Sequence, residues 1–131
     1  MKLSIILLSA GLLITALPAL AHHSFAAEYD ANKSITISGI VTKFEWTNPH
    51  ARFYVDVKDD QGNVINWNLE LASPNMLVRN GWKRTSLKEG DVVVAVASQA
   101  KDGTNTASLT TVTLANGTVL TFMAAPEEPA K

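Results

Sequence analysis

The sequence predicts an all-β fold: a small OB-like Greek-key barrel of five or six strands, with one short helix between strands three and four. Three observations lead there. Apolar and polar residues alternate with period two in several runs after residue 34. Glycine-containing turns separate those runs. One helical segment, introduced by Ser73-Pro74 and stopped by Gly81, interrupts them after the third run. An open β-sandwich shares the strands and turns and is the alternative; the single helix favours the barrel.

The first strand runs from Ile35 to Trp46 and changes phase along its length. Ile35, Ile37 and Val41 share one parity, whereas Ile40, Phe44 and Trp46 share the other. Gly39 sits at the change, so a bulge or bend is expected there, letting one strand serve two sheets. Next, Phe53, Val55 and Val57 alternate with Arg52, Tyr54, Asp56 and Lys58, as in a half-buried strand. Asp59 to Asn63 forms a hairpin turn. On the return strand, Ile65, Trp67, Leu69 and Leu71 face inward, and Asn66, Asn68 and Glu70 face outward. Ser73 caps a helix, Pro74 opens it, Asn75 to Asn80 gives about two turns, and Gly81 ends it. A tight turn at Leu87 to Asp91 leads into Val92 to Val96, which is apolar on both faces and reads as a central strand. Lys101-Asp102-Gly103 turns again before Leu109 to Leu114. Asn116-Gly117 then signals a hairpin into Val119 to Met123.

The start of the chain has a different composition. Lys2, an apolar stretch from Leu3 to Leu17, Pro18, and the small-x-small string Ala19-Leu20-Ala21 form the three regions of a signal peptide. Residues 1–21 are therefore expected to be removed, leaving His22 first; an uncleaved N-terminal anchor is the alternative. The apolar stretch is short against the roughly 20 residues that a membrane span needs. No later segment is apolar enough, so no stable membrane insertion is expected after cleavage. The expected location is the periplasm or the medium. Residues 22–33 read as an arm, 34–124 as the barrel domain, and 125–131 as a disordered tail.

Composition excludes several classes of function. Eleven Lys and Arg oppose twelve Asp and Glu, for a net charge of −1. Without a clustered basic face, nucleic acid is not an expected partner. The absence of cysteine rules out thiol nucleophiles, redox pairs and thiolate metal sites, and leaves the apolar core to stabilise the domain. The chain has no Gly-x-Ser-x-Gly elbow, no His-Glu-x-x-His and no Gly-rich phosphate loop, so no catalytic residue is assigned. Glu45 and Glu70 would act as a carboxylate pair only if the fold brought them together.

Two clusters carry the remaining chemistry. The first is metal-binding in type. His22, His23 and His50 are the three histidines of the chain. A free N-terminal His22 would offer Cu(II) its amine and its ring nitrogen, with His23 or His50 as the third nitrogen, the arrangement called a histidine brace. The plainer alternative is a flexible His-His arm with His50 merely ending a turn after Pro49. The second cluster is a candidate ligand groove. OB barrels bind ligands on the face of strands two and three and in the adjoining loops. Here those positions hold Trp46, Asn48, Arg52, Tyr54, Asn66, Asn68, Glu70 and Trp82. An ordinary solvated face, with Trp46 and Trp82 covering the barrel end, is the alternative. Trp67 shares parity with Leu69 and is expected in the core.

Several strings resemble a family of small exported bacterial proteins whose domain has no known function. They are His22-His23-Ser24-Phe25, Glu45-Trp46-Thr47-Asn48-Pro49-His50, Ser73-Pro74-Asn75 followed by Arg79 and Gly81-Trp82, and Lys101-Asp102-Gly103. The resemblance covers essentially all of the chain after residue 21, and it implies family membership without implying a chemistry. The residues themselves favour an exported, non-catalytic binding or accessory module of the bacterial envelope, with an envelope protein or a small ligand as partner. The alternative is a periplasmic copper-binding protein.

Overall fold

The computed structural model describes residues 24–121. Its elements are α1 (Ser24–Glu28), β1 (Tyr29–Glu45), β2 (Arg52–Lys58), β3 (Val64–Glu70), α2 (Pro74–Arg79), β4 (Val92–Ala100), β5 (Thr106–Leu114) and β6 (Val119–Thr121). The strands lie in the order β3-β2-β1-β4-β5-β6, and a parallel pairing of β3 with β5 closes the first five into a ring. The fold is therefore all-β, with the connectivity expected of the OB type. The long β1 works as predicted. Its C-terminal part pairs with β2 and the rest with β4.

The phase change in β1 has a different cause from the one expected. The register shifts between Val41 and Lys43, which makes Thr42 the bulged residue. With one extra residue, Val41 can be fully buried while Phe44, of opposite parity, still packs against the core. Gly39 serves another purpose. A Cβ there would overlap the backbone carbonyl of Asp56, so glycine permits the close crossing of β1 over β2. A second register shift, between Val96 and Ala97 of β4, makes Thr110 the extra residue of β5 and brings both Leu109 and Val112 into the core.

The core contains Val41, Phe53, Val55, Leu69, Leu71, Val93, Ala95, Leu109 and Val112. Trp67 is half-buried and packs against it. The inward face of β3 fades towards the hairpin, where Ile65 is exposed. Central placement of β4 holds, since it lies between β1 and β5. Its outward apolar face is nevertheless uncovered. Val92 and Val94 are exposed, because the second layer needed to cover the outside of the barrel is absent among the described residues.

Helix α2 adds Leu77 to the core, and its boundaries follow local chemistry. The Ser73 side chain accepts from the Met76 amide, and Pro74 opens the first turn. Gly81 adopts φ +85°, which lets the Trp82 amide bond back to the Leu77 carbonyl at 2.9 Å. Trp82 is thereby turned into the core. It is 1 % exposed, and its indole N–H donates to the Thr121 carbonyl at 3.0 Å.

Residues 24–33 do not form the arm expected over residues 22–33, and residues 22 and 23 lie outside the described residues. Residues 24–33 form α1 and the beginning of β1. Tyr29 is buried and pairs with Ala100, and the Lys101 amide donates to the Glu28 carbonyl at 2.8 Å. These contacts tie the segment to the β4–β5 turn.

Candidate functional site

The site forms where β2 begins and β3 ends. The Asp59–Asn63 turn sets Lys58 opposite Val64, and antiparallel register then brings Arg52 opposite Glu70. One residue before β2, buried Ala51 continues the ladder. Its amide donates to the Ala72 carbonyl at 3.0 Å, and its carbonyl accepts from the Leu71 amide at 2.9 Å. His50 is thus held beside Glu70 by backbone anchored on its C-terminal side.

Glu70 is the hub. Its side chain is only 12 % exposed and accepts from three donors. Tyr29 Oη and Arg52 Nη2 reach Oε2 at 2.5 and 2.8 Å. His50 Nδ1 lies 2.7 Å from Oε1. Arg52 also donates through Nη1 to Asn68 Oδ1 at 3.1 Å. Burial, reinforced by the hydrogen bond to Glu70, pushes the Tyr29 hydroxyl far above its ordinary pKa. It therefore stays a donor throughout the physiological range.

The rest of the outward face is also internally paired. Lys43 Nζ lies 2.5 Å from Glu45 Oε1, and that hydrogen-bonded ion pair holds the half-buried Glu45 carboxyl below its usual range. Tyr54 Oη donates to Glu45 Oε2 at 3.4 Å, and the Lys43 ammonium stands 5.9 Å from the Tyr54 ring centre. Asn66 donates to Asp56 Oδ1 at 2.7 Å. Glu45 and Glu70 do not form a carboxylate pair. Arg52, opposite both of them in the strand register, stands between.

Of the candidate residues, His50, Arg52, Asn68 and Glu70 come together. Tyr54 and Asn66 share their face further along the strands. Asn48 is exposed in the loop before Pro49. Trp46 packs edge-on against Phe44, with ring centres 5.7 Å apart, and adjoins the core. Trp82 is removed from the groove set, because a buried indole with its N–H already bonded presents no surface to a ligand. His22 and His23 lie outside the described residues. Among the described residues, no three His, Cys, Asp or Glu side chains are grouped to hold a metal ion.

Three participants escaped the sequence reading: Phe25, Glu28 and Tyr29. They line, with His50 and Glu70, a cavity of about 160 Å³. Glu28 also lines a second cavity, of about 230 Å³, with Pro49, His50 and Arg52. The available signal was weak, a lone tyrosine in a polar, alanine-rich stretch. Helix α1 is held over this region by the Lys101 ammonium, which donates to the Ala26 carbonyl. Phe25 remains exposed and lies 5.6 Å from the Tyr29 ring, centre to centre.

These features define the class: a small all-β domain whose first five strands pair in a closed circuit, with a self-paired polar face on β2 and β3 and a carboxylate-anchored histidine at its end. The chain belongs to DUF6152, a family of unknown function, whose sequence pattern matches residues 10–110. Searches of curated proteins and of solved structures found no match.

Proposed function

We propose that the protein is an exported, non-catalytic binding or accessory module of the bacterial envelope, and that it recognises its partner with the β2–β3 face around Glu70. Pre-organisation of that face carries the reading. His50, Arg52 and Tyr29 are all bonded to one nearly buried carboxylate, so presenting His50 and Arg52 costs little further side-chain entropy. Export rests on the signal-peptide pattern of residues 1–21. Among the described residues, no helix is long and apolar enough to cross a membrane.

Photo-crosslinking in cells tests the reading. A crosslinker at Asn68 or Tyr54 should give a discrete adduct that one at Val94, on another part of the barrel's exterior, does not. Equal labelling at all three positions, or none at Asn68 and Tyr54, would overturn it. Intact mass of the exported protein tests the location and should begin at His22.

A second reading, copper binding, is favoured by one observation. Helix α1 begins directly after His23, and its residues Phe25 and Glu28 line the same cavity as His50. The ligands would be the His22 amine and ring, with His23 or His50. Copper titration followed by EPR on the form that begins with His22 tests this. Affinity weaker than about 1 μM, or indifference to both His22→Ala and His50→Ala, would sink it.

A further inference from the structure

We infer that the space beside α1 binds a small amphiphile, its primary ammonium head between Glu28 and His50 and its apolar body against Phe25; this rests on the binding-module reading above and names the ligand class taken at the Glu70 cluster. Two cavities meet there. The first, of about 160 Å³, is lined at its polar end by Glu28, His50 and Glu70. The second, of about 410 Å³, is lined by Phe25, Ala31, Val96 and Leu109, and serine and threonine side chains complete it. Among the described residues, no charged side chain lines this second cavity. Phe25 and Ser108 are walls of both, so the polar and apolar spaces adjoin. The larger cavity lies within the size range of small-molecule sites, roughly 300–1,000 Å³.

The head group follows from which atoms are already engaged. Tyr29 and Arg52 hold Glu70 Oε2, and His50 Nδ1 holds Oε1. A carboxylate accepts and does not donate, so Nδ1 carries the hydrogen of that contact and, in a neutral imidazole, Nε2 keeps its lone pair. The His50 side chain is 44 % exposed, so its ring is tethered on one side and open on the rest. Both terminal nitrogens of Arg52 are spent on Asn68 and Glu70. The Glu28 carboxylate has no ion-pair partner among the described residues. Lys101 lines a further cavity with Glu28, but its ammonium donates to the Ala26 carbonyl instead. The groups left free are therefore acceptors, and a ligand here has to donate. Charge adds a sign. Glu28 and Glu70 set two carboxylates against the one guanidinium of Arg52 around the cavity that all three line. A primary ammonium brings three donors and the opposite charge.

The body of the ligand is set by the larger cavity. Phe25 is 42 % exposed on a helix of five residues, an apolar ring with nothing covering it. An apolar chain laid against Phe25, Val96 and Leu109 removes that surface from water, which favours binding whatever the head group. The head then decides between ligands of one body. A carboxylate would meet Glu28 and Glu70 with like charge, whereas an alcohol would keep the body contacts and lose the charge attraction.

Calorimetric titration of the exported protein with octylamine, 1-octanol and octanoate tests this, because the three probes share a body and differ in head. Octylamine should bind one to one and about 10-fold or more tighter than 1-octanol, the scale of one hydrogen bond to a charged group. Octanoate should bind weakest. Glu28→Gln, at an exposed position, should abolish the preference for the amine and leave 1-octanol affinity unchanged. Ser98→Trp fills the apolar cavity and should abolish binding of octylamine and 1-octanol together. Phe25→Ala removes the exposed ring, should weaken both probes alike, and keeps the test decisive if Ser98→Trp does not fold. No saturable binding of octylamine, equal affinity for the three probes, or an amine preference that survives Glu28→Gln overturns the inference. If any of these is found while a crosslinker at Asn68 or Tyr54 still gives its discrete adduct, the inference falls and the binding-module reading stands. Failure of both experiments removes both.

Discussion

The backbone carbonyl of Asp56 occupies the space that a side chain at Gly39 would need. Val55 Cγ1 would also lie 2.8 Å from a Cβ at that position. Two backbones meet here, so neither can yield by rotating a side chain. Gly39→Ala should destabilise the domain by about 3 kcal/mol or more, at the upper end of over-packing costs. Urea denaturation checks this, with an unchanged slope showing that the unfolded state is not the cause.

Tyr29→Phe removes one of the three donors to Glu70 and should cost about 1.5–3 kcal/mol, the range for a hydrogen bond to a charged group. It should also change the alkaline limb of stability. The folded protein holds the Tyr29 hydroxyl above its ordinary value of 10.0. Its contribution is complete below that value and drains away as pH climbs from there towards the raised folded value. The wild type should therefore lose stability above pH 10 more steeply than Tyr29→Phe. Unfolding free energies measured from pH 8 to about 11 would show parallel curves if this is wrong.

Asp59 governs the acid side of the β2–β3 turn. Its carboxylate accepts from the Asn63 amide, the Gln61 amide and the Asn63 side chain at 2.8, 2.9 and 3.1 Å. The Asn63 contacts lead in holding its pKa below the ordinary 3.8. That contribution is present above the ordinary value and lost as pH falls through the lowered one. Asp59→Ala should be less stable than the wild type at neutral pH and should converge on it in acid. A constant difference between pH 2 and about 6 would refute the assignment.

Trp82→Ala separates a core tryptophan from a groove tryptophan. A core role predicts a loss of about 3–5 kcal/mol, aggravated by leaving the Thr121 carbonyl without its donor. Replacing a surface indole would cost far less. Thermal or urea unfolding of the purified variant decides between them.

Much of the fold was legible because alternation and turns are local signals. The hairpin at Asp59–Asn63 determines the whole β2–β3 register, and with it the meeting of Arg52 and Glu70. The capping chemistry of Ser73, Pro74 and Gly81 located α2 to within a residue. What stayed hidden depends on distant parts of the chain. Thr42 carries no mark of a bulge; the bulge follows from burying Val41 and Phe44 against the same core. Tyr29 reads as part of a polar arm until Glu70, forty-one residues later, supplies its partner. Val92 and Val94 show that apolar character on both faces of a central strand does not tell which face is covered.

The parallel pairing of β3 with β5 has a consequence for timing. The first strand finds β2 early, because a short loop joins them, but most of its length waits for β4. The ring cannot shut until Thr106 to Ser108 reach Asn68 to Glu70. Closure is thus a late, long-range event, and the domain should fold over milliseconds to seconds, as chains dominated by non-local strand pairing do. A chain lacking β5 would have nothing to finish the circle, so fragments ending before Thr106 should remain open and prone to associate through their unpaired edges.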